Sequence, residues 1–454
     1  MTFYKKFCII QVEKGSKPKK VYIETYGCQM NKYDSELAAG ILKGSGYQTT
    51  REPAEADLIL VNTCSVRDHA ETRALGRLSA LNTHKLKNPR MKIGVLGCMA
   101  QRIGQQVLGE KPYIDFAVGP DSYRELPKIL QQLDSAPSQQ FKADVSDFES
   151  YADIYPSRID GVSAWVAIMR GCNNFCAYCI VPYLRGRERS RPAENILEEV
   201  QRLSHEGFIE VILLGQNVNS YHNGMIDFPD LIARVGQVEG IRRVRFASSH
   251  PKDVSMKLIE TIARHESICN HIHLAAQSGS NRVLKLMNRH YTREHYLSLL
   301  EKARNVIKGV SFSTDIIVGF PGETERDFLD TLDLVRQARF DNAFTFKYNP
   351  RAGTKAAEME ETVSEQEKLT RLNTLNDLQN EITLQNYRAL IGQRVKVLVE
   401  GRSKKSNEQY MGRTATNKIV VFPKRVGIIG TIVELRITAA EGHTLFGEFV
   451  EHRK

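Results

Sequence analysis

At roughly 100–200 residues per domain, a chain of 454 residues has room for about three domains. A hydrophobic content of 41% with 26% charged residues fits a soluble globular chain, and 31 glycines with 15 prolines are too few for collagen-like or low-complexity sequence. No apolar run approaches the roughly 18–20 residues of a membrane span, and Phe7–Ile10, set between lysines, is too short for a secretory leader, so a cytoplasmic protein is expected. The 63 basic residues exceed the 53 acidic ones by ten, which favours a polyanionic partner. Eight cysteines are too sparse for a disulfide scaffold and point to metal or redox chemistry.

Residues 1–20 are polar and lysine-rich and read as a loose tail. From Val21 the pattern is apolar strand, turn, helix: strands at 21–23, 57–61, 92–96 and 116–118 alternate with helical stretches at 35–42 and 125–133. That alternation predicts a parallel-sheet α/β domain over 21–140, followed by a linker over 141–160. A second α/β series covers 161–387, with strands at 164–169, 211–214, 243–246, 271–274, 312–318 and 342–346. Six strands are too few for a closed eight-unit barrel and predict a partial (βα)6 barrel. Residues 365–390 read as one or two polar helices. Short β-type runs at 394–399, 419–422, 432–435 and 445–450 then predict a small antiparallel β-barrel over 388–454. Residues 388–454 hold 13 Lys and Arg against 6 Asp and Glu, so this domain supplies much of the positive excess.

The strongest local signal is Cys172-x3-Cys176-x2-Cys179, directly after a predicted strand. Three thiolates on one loop can wrap a metal centre and leave a coordination position for a fourth protein ligand or for a substrate. A structural zinc knuckle completed by a distant residue remains open at this point. The spacing, with Tyr178 before the last cysteine, resembles the radical S-adenosylmethionine superfamily. That resemblance implies a [4Fe-4S] cluster on Cys172, Cys176 and Cys179, whose free iron chelates S-adenosylmethionine and generates a 5′-deoxyadenosyl radical.

Cys28, Cys64 and Cys98 form a second set, each just past a predicted strand. Parallel strands all end on one edge of their sheet, so these residues can meet there and share a cluster, near helix N-termini that favour thiolate. The alternative is that they are buried small hydrophobes. Cys8 and Cys269 fall outside both sets and are expected to be inert.

The two triads followed by a basic β-barrel resemble the radical S-adenosylmethionine methylthiotransferase family. Thr25–Asn31, Gly97–Arg102 and Met169–Cys176 are worded as in its MiaB-type tRNA-modifying branch, and less as in the RimO-type branch acting on a ribosomal protein or the MtaB-type branch acting on threonylcarbamoyl-adenosine. The resemblance implies conversion of N6-isopentenyladenosine beside the tRNA anticodon into its 2-methylthio derivative. It further implies a second, auxiliary [4Fe-4S] cluster on Cys28, Cys64 and Cys98, with both clusters close to a flipped-out base. Expected partners are the modified tRNA, an electron donor such as flavodoxin or ferredoxin, and an iron–sulfur carrier protein; a monomer with no membrane association is expected. A RimO-like enzyme and a non-catalytic RNA-binding protein with structural zinc remain as alternatives.

Arg185, Arg187, Arg189 and Arg191 stand at spacing two. If extended, they project from one face toward phosphates; a solvated loop with salt bridges is the alternative. Lys404, Lys405, Arg413, Lys424 and Arg425 occupy predicted loops of the terminal barrel, which resembles the RNA-binding TRAM domain. For the S-adenosylmethionine pocket, the superfamily resemblance points to Tyr178, Gln216, Asn217, Gln277 and Asp315 at or near strand ends, with Gly319–Thr324 bordering the adenine side.

Overall fold

The computed structural model describes residues 18–65, 68–158, 161–404 and 406–450, with backbone alone described at Asp68 and His69. These residues divide into two compact units, 18–158 with 183–187, and 161–182 with 188–450.

The first unit is a six-stranded, all-parallel sheet: β1 (Lys19–Tyr26), β2 (Tyr47–Thr49), β3 (Leu58–Thr63), β4 (Lys92–Gly97), β5 (Phe116–Val118) and β6 (Gln140–Lys142), in the order β2-β1-β3-β4-β5-β6. Crossover helices α1 (Gln29–Gly44), α2 (Asp68–Lys87), α3 (Cys98–Glu110) and α4 (Leu126–Ser135) cover its faces. β3 is buried at every position because both of its faces are covered. Its Leu58 and Leu60 pack with Leu37 and Leu130 on one side, while Ile59 and Val61 pack with Leu78 and Val107 on the other.

Several expectations are corrected here. β1 begins at Lys19, inside the stretch read as tail. β2 and β6 went unpredicted because each is a three-residue strand without the buried apolar run that marks the central strands. Residues 141–158 are not a free linker. Tyr151 is fully buried in the core, accepts the Tyr123 N–H at 2.9 Å and donates to the Pro120 carbonyl at 3.0 Å.

In the second unit, β7 (Ser163–Ala167), β10 (Glu210–Leu214), β13 (Arg243–Phe246), β14 (His271–His273), β15 (Ser311–Val318) and β16 (Asn342–Lys347) form two three-stranded parallel sheets. The parallel bridges Val244–Ile268 and Ser249–Leu274 join them into a partial barrel. Between these strands lie the ribbon β8 (Met169–Arg170) with β9 (Arg189–Ser190) and the hairpin β11 (His222–Asn223) with β12 (Ile226–Asp227). Alternation sorts the strand residues: Val166, Val211, Leu213, Val244, Ile272, Phe312 and Ile316 enter the helix-covered core. The opposite face carries Glu210, Arg243, Arg245, His271, His273, Ser313 and Asp315 and makes a polar lumen. The helix expected after the last strand is a single one of 24 residues, α12 (Glu365–Arg388), started by a capping box between Ser364 and Glu367. α5 (Val181–Arg185) precedes β9, and α6 (Ala193–His205), α7 (Phe228–Gly236), α8 (Met256–Arg264), α9 (Asn281–Leu286), α10 (Arg293–Val306) and α11 (Glu325–Ala338) complete the helices.

The chain ends in a closed five-stranded barrel of β17 (Arg394–Arg402), β18 (Gln409–Thr414), β19 (Ile419–Pro423), β20 (Ile432–Glu441) and β21 (Thr444–Phe449). It is not wholly antiparallel. β21 returns from its hairpin with β20 to lie parallel beside β19 and so closes the ring. The turn after β18 meets the start of the partial-barrel strands. Buried Arg243 donates to the carbonyls of Arg413 and Lys396, and buried Arg245 to those of Thr414 at 2.6 Å and Ala415 at 3.1 Å. Ser311 donates to the Thr416 carbonyl at 3.0 Å, and Lys418 pairs with Asp341 at 2.7 Å. No helix among the described residues is long and apolar enough to cross a membrane.

Candidate active site

The register of the first sheet gathers one cysteine triad. Thr63 of β3 pairs with Tyr26 of β1 and with Gly97 of β4, so the chain reaches Cys28, Cys64 and Cys98 on leaving three neighbouring strands at the same edge. Cys28 is the N-cap of α1 and Cys98 is the first residue of α3; Cys64 and Cys98 are buried. The turns are tight enough to require glycine. At Gly27 (φ +121°) a Cβ would stand 2.4 Å from the Cys64 Cβ, and at Gly97 (φ +88°) 2.2 Å from Asn62 Oδ1. Asn62 ties the edge together by donating to the Asn31 carbonyl and to Ser35 Oγ, both at 3.0 Å, while accepting from Asn31 Nδ2 at 3.0 Å. Arg185, in the short segment that belongs to this unit, donates to Cys98 Sγ at 3.3 Å and pairs with buried Asp34 at 2.7 Å. A hydrogen bond with the Cys64 thiol, helped by the Arg185 charge, pulls the Cys28 thiol down to about 6 despite its burial. Burial pushes Cys98 up, with Arg185 opposing.

The second triad sits on one loop after β8. Gly171 (φ +76°) and Phe175 (φ +45°) bend it, and Asn288 Nδ2 clamps it by donating to the Phe175 carbonyl at 3.0 Å. Asn174 Nδ2 donates to Cys172 Sγ at 3.4 Å, and buried Arg289 donates to Cys176 Sγ at 3.4 Å. Burial pushes Cys172 up and pushes Cys179 up to about 12, where the neighbouring Cys176 adds to the effect. Tyr178 is half-buried and packs with Val283, Met287, Phe320 and Tyr348. Among the described residues no group of three or more His, Cys, Asp or Glu side chains converges on a single-ion site. A cluster does not require such convergence, since each thiolate takes a different iron.

Past the carboxyl ends of β10, β13 and β14 lie buried polar atoms with no hydrogen-bond partner: Gln216 Oε1, Asn217 Oδ1, Ser249 Oγ, His250 Nε2 and Gln277 Oε1. Unmet acceptors on this rim fit the donors of a polar cofactor. Gln277 also adopts φ +64°, a strained conformation for its type. Gly319 N–H donates to Glu323 Oε1 at 2.8 Å, and Arg371 of α12 holds the same carboxylate at 2.8 Å, which fixes the glycine-rich turn.

Three expectations change. Asp315 is not at a strand end; it lies within β15, where His273 Nε2 is 3.4 Å from its carboxylate. The spaced arginines do not form a phosphate-facing comb, because α5 and Gly186 (φ +71°) break the extended geometry. Arg185, Arg189 and Arg191 are buried, Arg191 against Glu199 at 2.8 Å, and only Arg187 is exposed. In the terminal barrel Lys404, Lys424 and Arg425 are exposed, whereas Arg413 is held by Glu400 and Asn417, both at 3.1 Å. Lys405 and Cys8 lie outside the described residues. Cys269 is buried and belongs to neither triad. Asn31, Asn62, Asn174 and Arg289 escaped the sequence reading; the three asparagines stand beside the cysteines, a signal that could have found them, whereas Arg289 carries none.

Residues 166–335 match the radical SAM superfamily, 20–119 match "Uncharacterized protein family UPF0004", and 388–450 match the TRAM domain. The fold resembles that of the radical S-adenosylmethionine methyltransferase TsrM from Kitasatospora setae, with a TM-score of 0.58 at 14% identity over 75% of this chain and 77% of that one. Radical SAM membership implies a [4Fe-4S] cluster and S-adenosylmethionine. Among curated relatives, the tRNA-2-methylthio-N(6)-dimethylallyladenosine synthase of Moorella thermoacetica is 46% identical over 96% of this chain and 99% of its own length. That of Carboxydothermus hydrogenoformans is 48% identical over 95% and 99%. The chain belongs to the tRNA-2-methylthio-N(6)-dimethylallyladenosine synthase family.

Proposed function

We propose that this chain is a radical S-adenosylmethionine methylthiotransferase that converts N6-isopentenyladenosine next to the tRNA anticodon into its 2-methylthio derivative. The observation that carries the reading is similarity of 46–48% to enzymes of that name along 95–96% of the chain. The chemistry explains the need for such a protein, because an aromatic C2–H offers neither an acidic proton nor a leaving group to general acid–base catalysis. When bound, S-adenosylmethionine and its cluster supply the radical that breaks this C–H bond, and a second cofactor molecule supplies the methyl group.

Cys172, Cys176 and Cys179 hold the radical-generating cluster, and three ligands leave one iron for the cofactor. Tyr178, Gln216, Asn217 and Gln277 line the cofactor's place at the rim; the unmet oxygens of the last three are the supporting feature. Cys28, Cys64 and Cys98 hold a second cluster that carries the sulfur to be donated, supported by their shared sheet edge and the glycine turns around it. Lys404, Lys424 and Arg425 meet tRNA phosphates. A flavodoxin or ferredoxin supplies electrons, an iron–sulfur carrier loads the clusters, and the enzyme works as a monomer.

The test is anaerobic turnover of reconstituted protein with anticodon stem-loops bearing isopentenyladenosine, with nucleoside products identified by mass. A 2-methylthio product is expected. S-adenosylmethionine cleavage with no methylthiolated nucleoside would overturn the assignment.

A further inference from the structure

The lumen of the partial barrel carries a feature that the cofactor sites do not use. On β14, β15 and β16 the residues facing away from the helix-covered core form one wall. Asp315 registers with Phe344, Ile317 with Phe346, and His273 with Ser313. Ser313 Oγ lies 3.0 Å from His271 Nε2 and 2.9 Å from His273 Nδ1, while His273 Nε2 faces the Asp315 carboxylate at 3.4 Å. The His273 ring meets Phe344 edge to face at a centroid distance of 6.0 Å. Phe344 and Phe346 nonetheless remain 48% and 38% exposed. Two aromatic rings left open beside a histidine–aspartate pair are costly to leave in water, and they suit a guest with one apolar and one hydrogen-bonding edge.

We infer that Phe344, His273 and Asp315 form the seat of the prenylated adenine, with Phe344 packing the isopentenyl group and Asp315 and His273 reading the adjoining base edge. This inference rests on the proposed reaction. With its prenyl group turned toward N7, N6-isopentenyladenosine offers a single N6–H donor beside the N1 acceptor. Asp315 accepts from N6–H. With Ser313 donating to Nδ1, His273 carries its proton on Nε2 and donates to N1. C2 adjoins N1 in the ring, so fixing that edge also fixes the reacting carbon. The 3.4 Å His273–Asp315 contact is long and leaves both groups free to turn toward the base.

The test measures binding and turnover of two stem-loops, one with isopentenyladenosine and one with unmodified adenosine, using reconstituted holoenzyme. Wild type should bind the prenylated stem-loop roughly tenfold better, the scale of discrimination by a small apolar pocket. Phe344→Ala should erase that preference through KM with little change in kcat, and Phe344→Leu should restore most of it. Asp315→Ala should weaken both stem-loops alike, by about tenfold. Cleavage of S-adenosylmethionine without tRNA should be unchanged in both Phe344 variants, which reports an intact fold and cofactor site. Unchanged preference in Phe344→Ala, or no preference in wild type, would overturn the seat. A wild-type protein that makes no methylthiolated product refutes the proposed function instead.

Discussion

The two cysteine triads use the same number of thiols and are built in opposite ways. Cys172, Cys176 and Cys179 sit within eight consecutive residues, so one loop keeps them close however the rest of the chain is arranged. Cys28, Cys64 and Cys98 span 71 residues and meet only because β1, β3 and β4 are neighbours in register. The loop is local in its thiols, with Asn174 bonded inside it and Asn288 and Arg289 clamping it from more than a hundred residues away, whereas the sheet-edge site depends on tertiary structure even to gather its thiols, held by Asn62, Arg185 and two glycines. Burial raises Cys172 and Cys179 on the loop and Cys98 at the sheet edge alike, and Cys28 stands apart because a thiol partner and a nearby guanidinium lower it.

Swapping the thiols breaks the comparison most directly. Replacing Cys172, Cys176 and Cys179 by Ala should remove about four irons and abolish S-adenosylmethionine cleavage, while replacing Cys28, Cys64 and Cys98 should remove about four and spare cleavage, as read by iron analysis and 5′-deoxyadenosine release. Next in size is Arg185→Met, which strands buried Asp34 and should lower apo-protein stability by about 3–5 kcal/mol in chemical denaturation. Asn62→Ala, which removes two donated bonds at the sheet edge, should cost about 1–3 kcal/mol, and Asn174→Ala in the local loop about 1 kcal/mol or less. The smallest effect is on exposed charge. Lys424→Ala with Arg425→Ala should cost no more than about 1 kcal/mol, from the contact of Arg425 with the Phe449 ring, and reduce the salt dependence of tRNA binding by about two charges in a titration series.

Much of this was legible because the informative residues are chemically distinctive. Thiols at strand ends announce themselves, and long buried strands such as Leu58–Thr63 have no polar disguise. β18 was invisible because Gln409–Thr414 buries Tyr410, Gly412 and Thr414 and offers no aliphatic run. The spaced arginines misled because spacing two means one face only in extended chain, and here a helix and a left-handed glycine intervene. Nothing in sequence separates Arg289 from the other 62 basic residues, since its place beside Cys176 is created by folding across more than a hundred residues. Tyr151 was lost for a similar reason: a single buried tyrosine amid polar neighbours does not alter local composition.

Arg243, Arg245 and Ser311 grip Lys396 and residues 413–416 through main-chain oxygens, which every amino acid provides. These bonds do not read the side chains of the turn, although buried Thr414 and Lys418, the latter paired with Asp341, remain fixed, whereas the guanidiniums on the other side have no substitute of equal reach. A graft of foreign turn residues that keeps Thr414 and Lys418 should leave the nucleic-acid module seated, and exchanging either arginine for lysine should set it swinging.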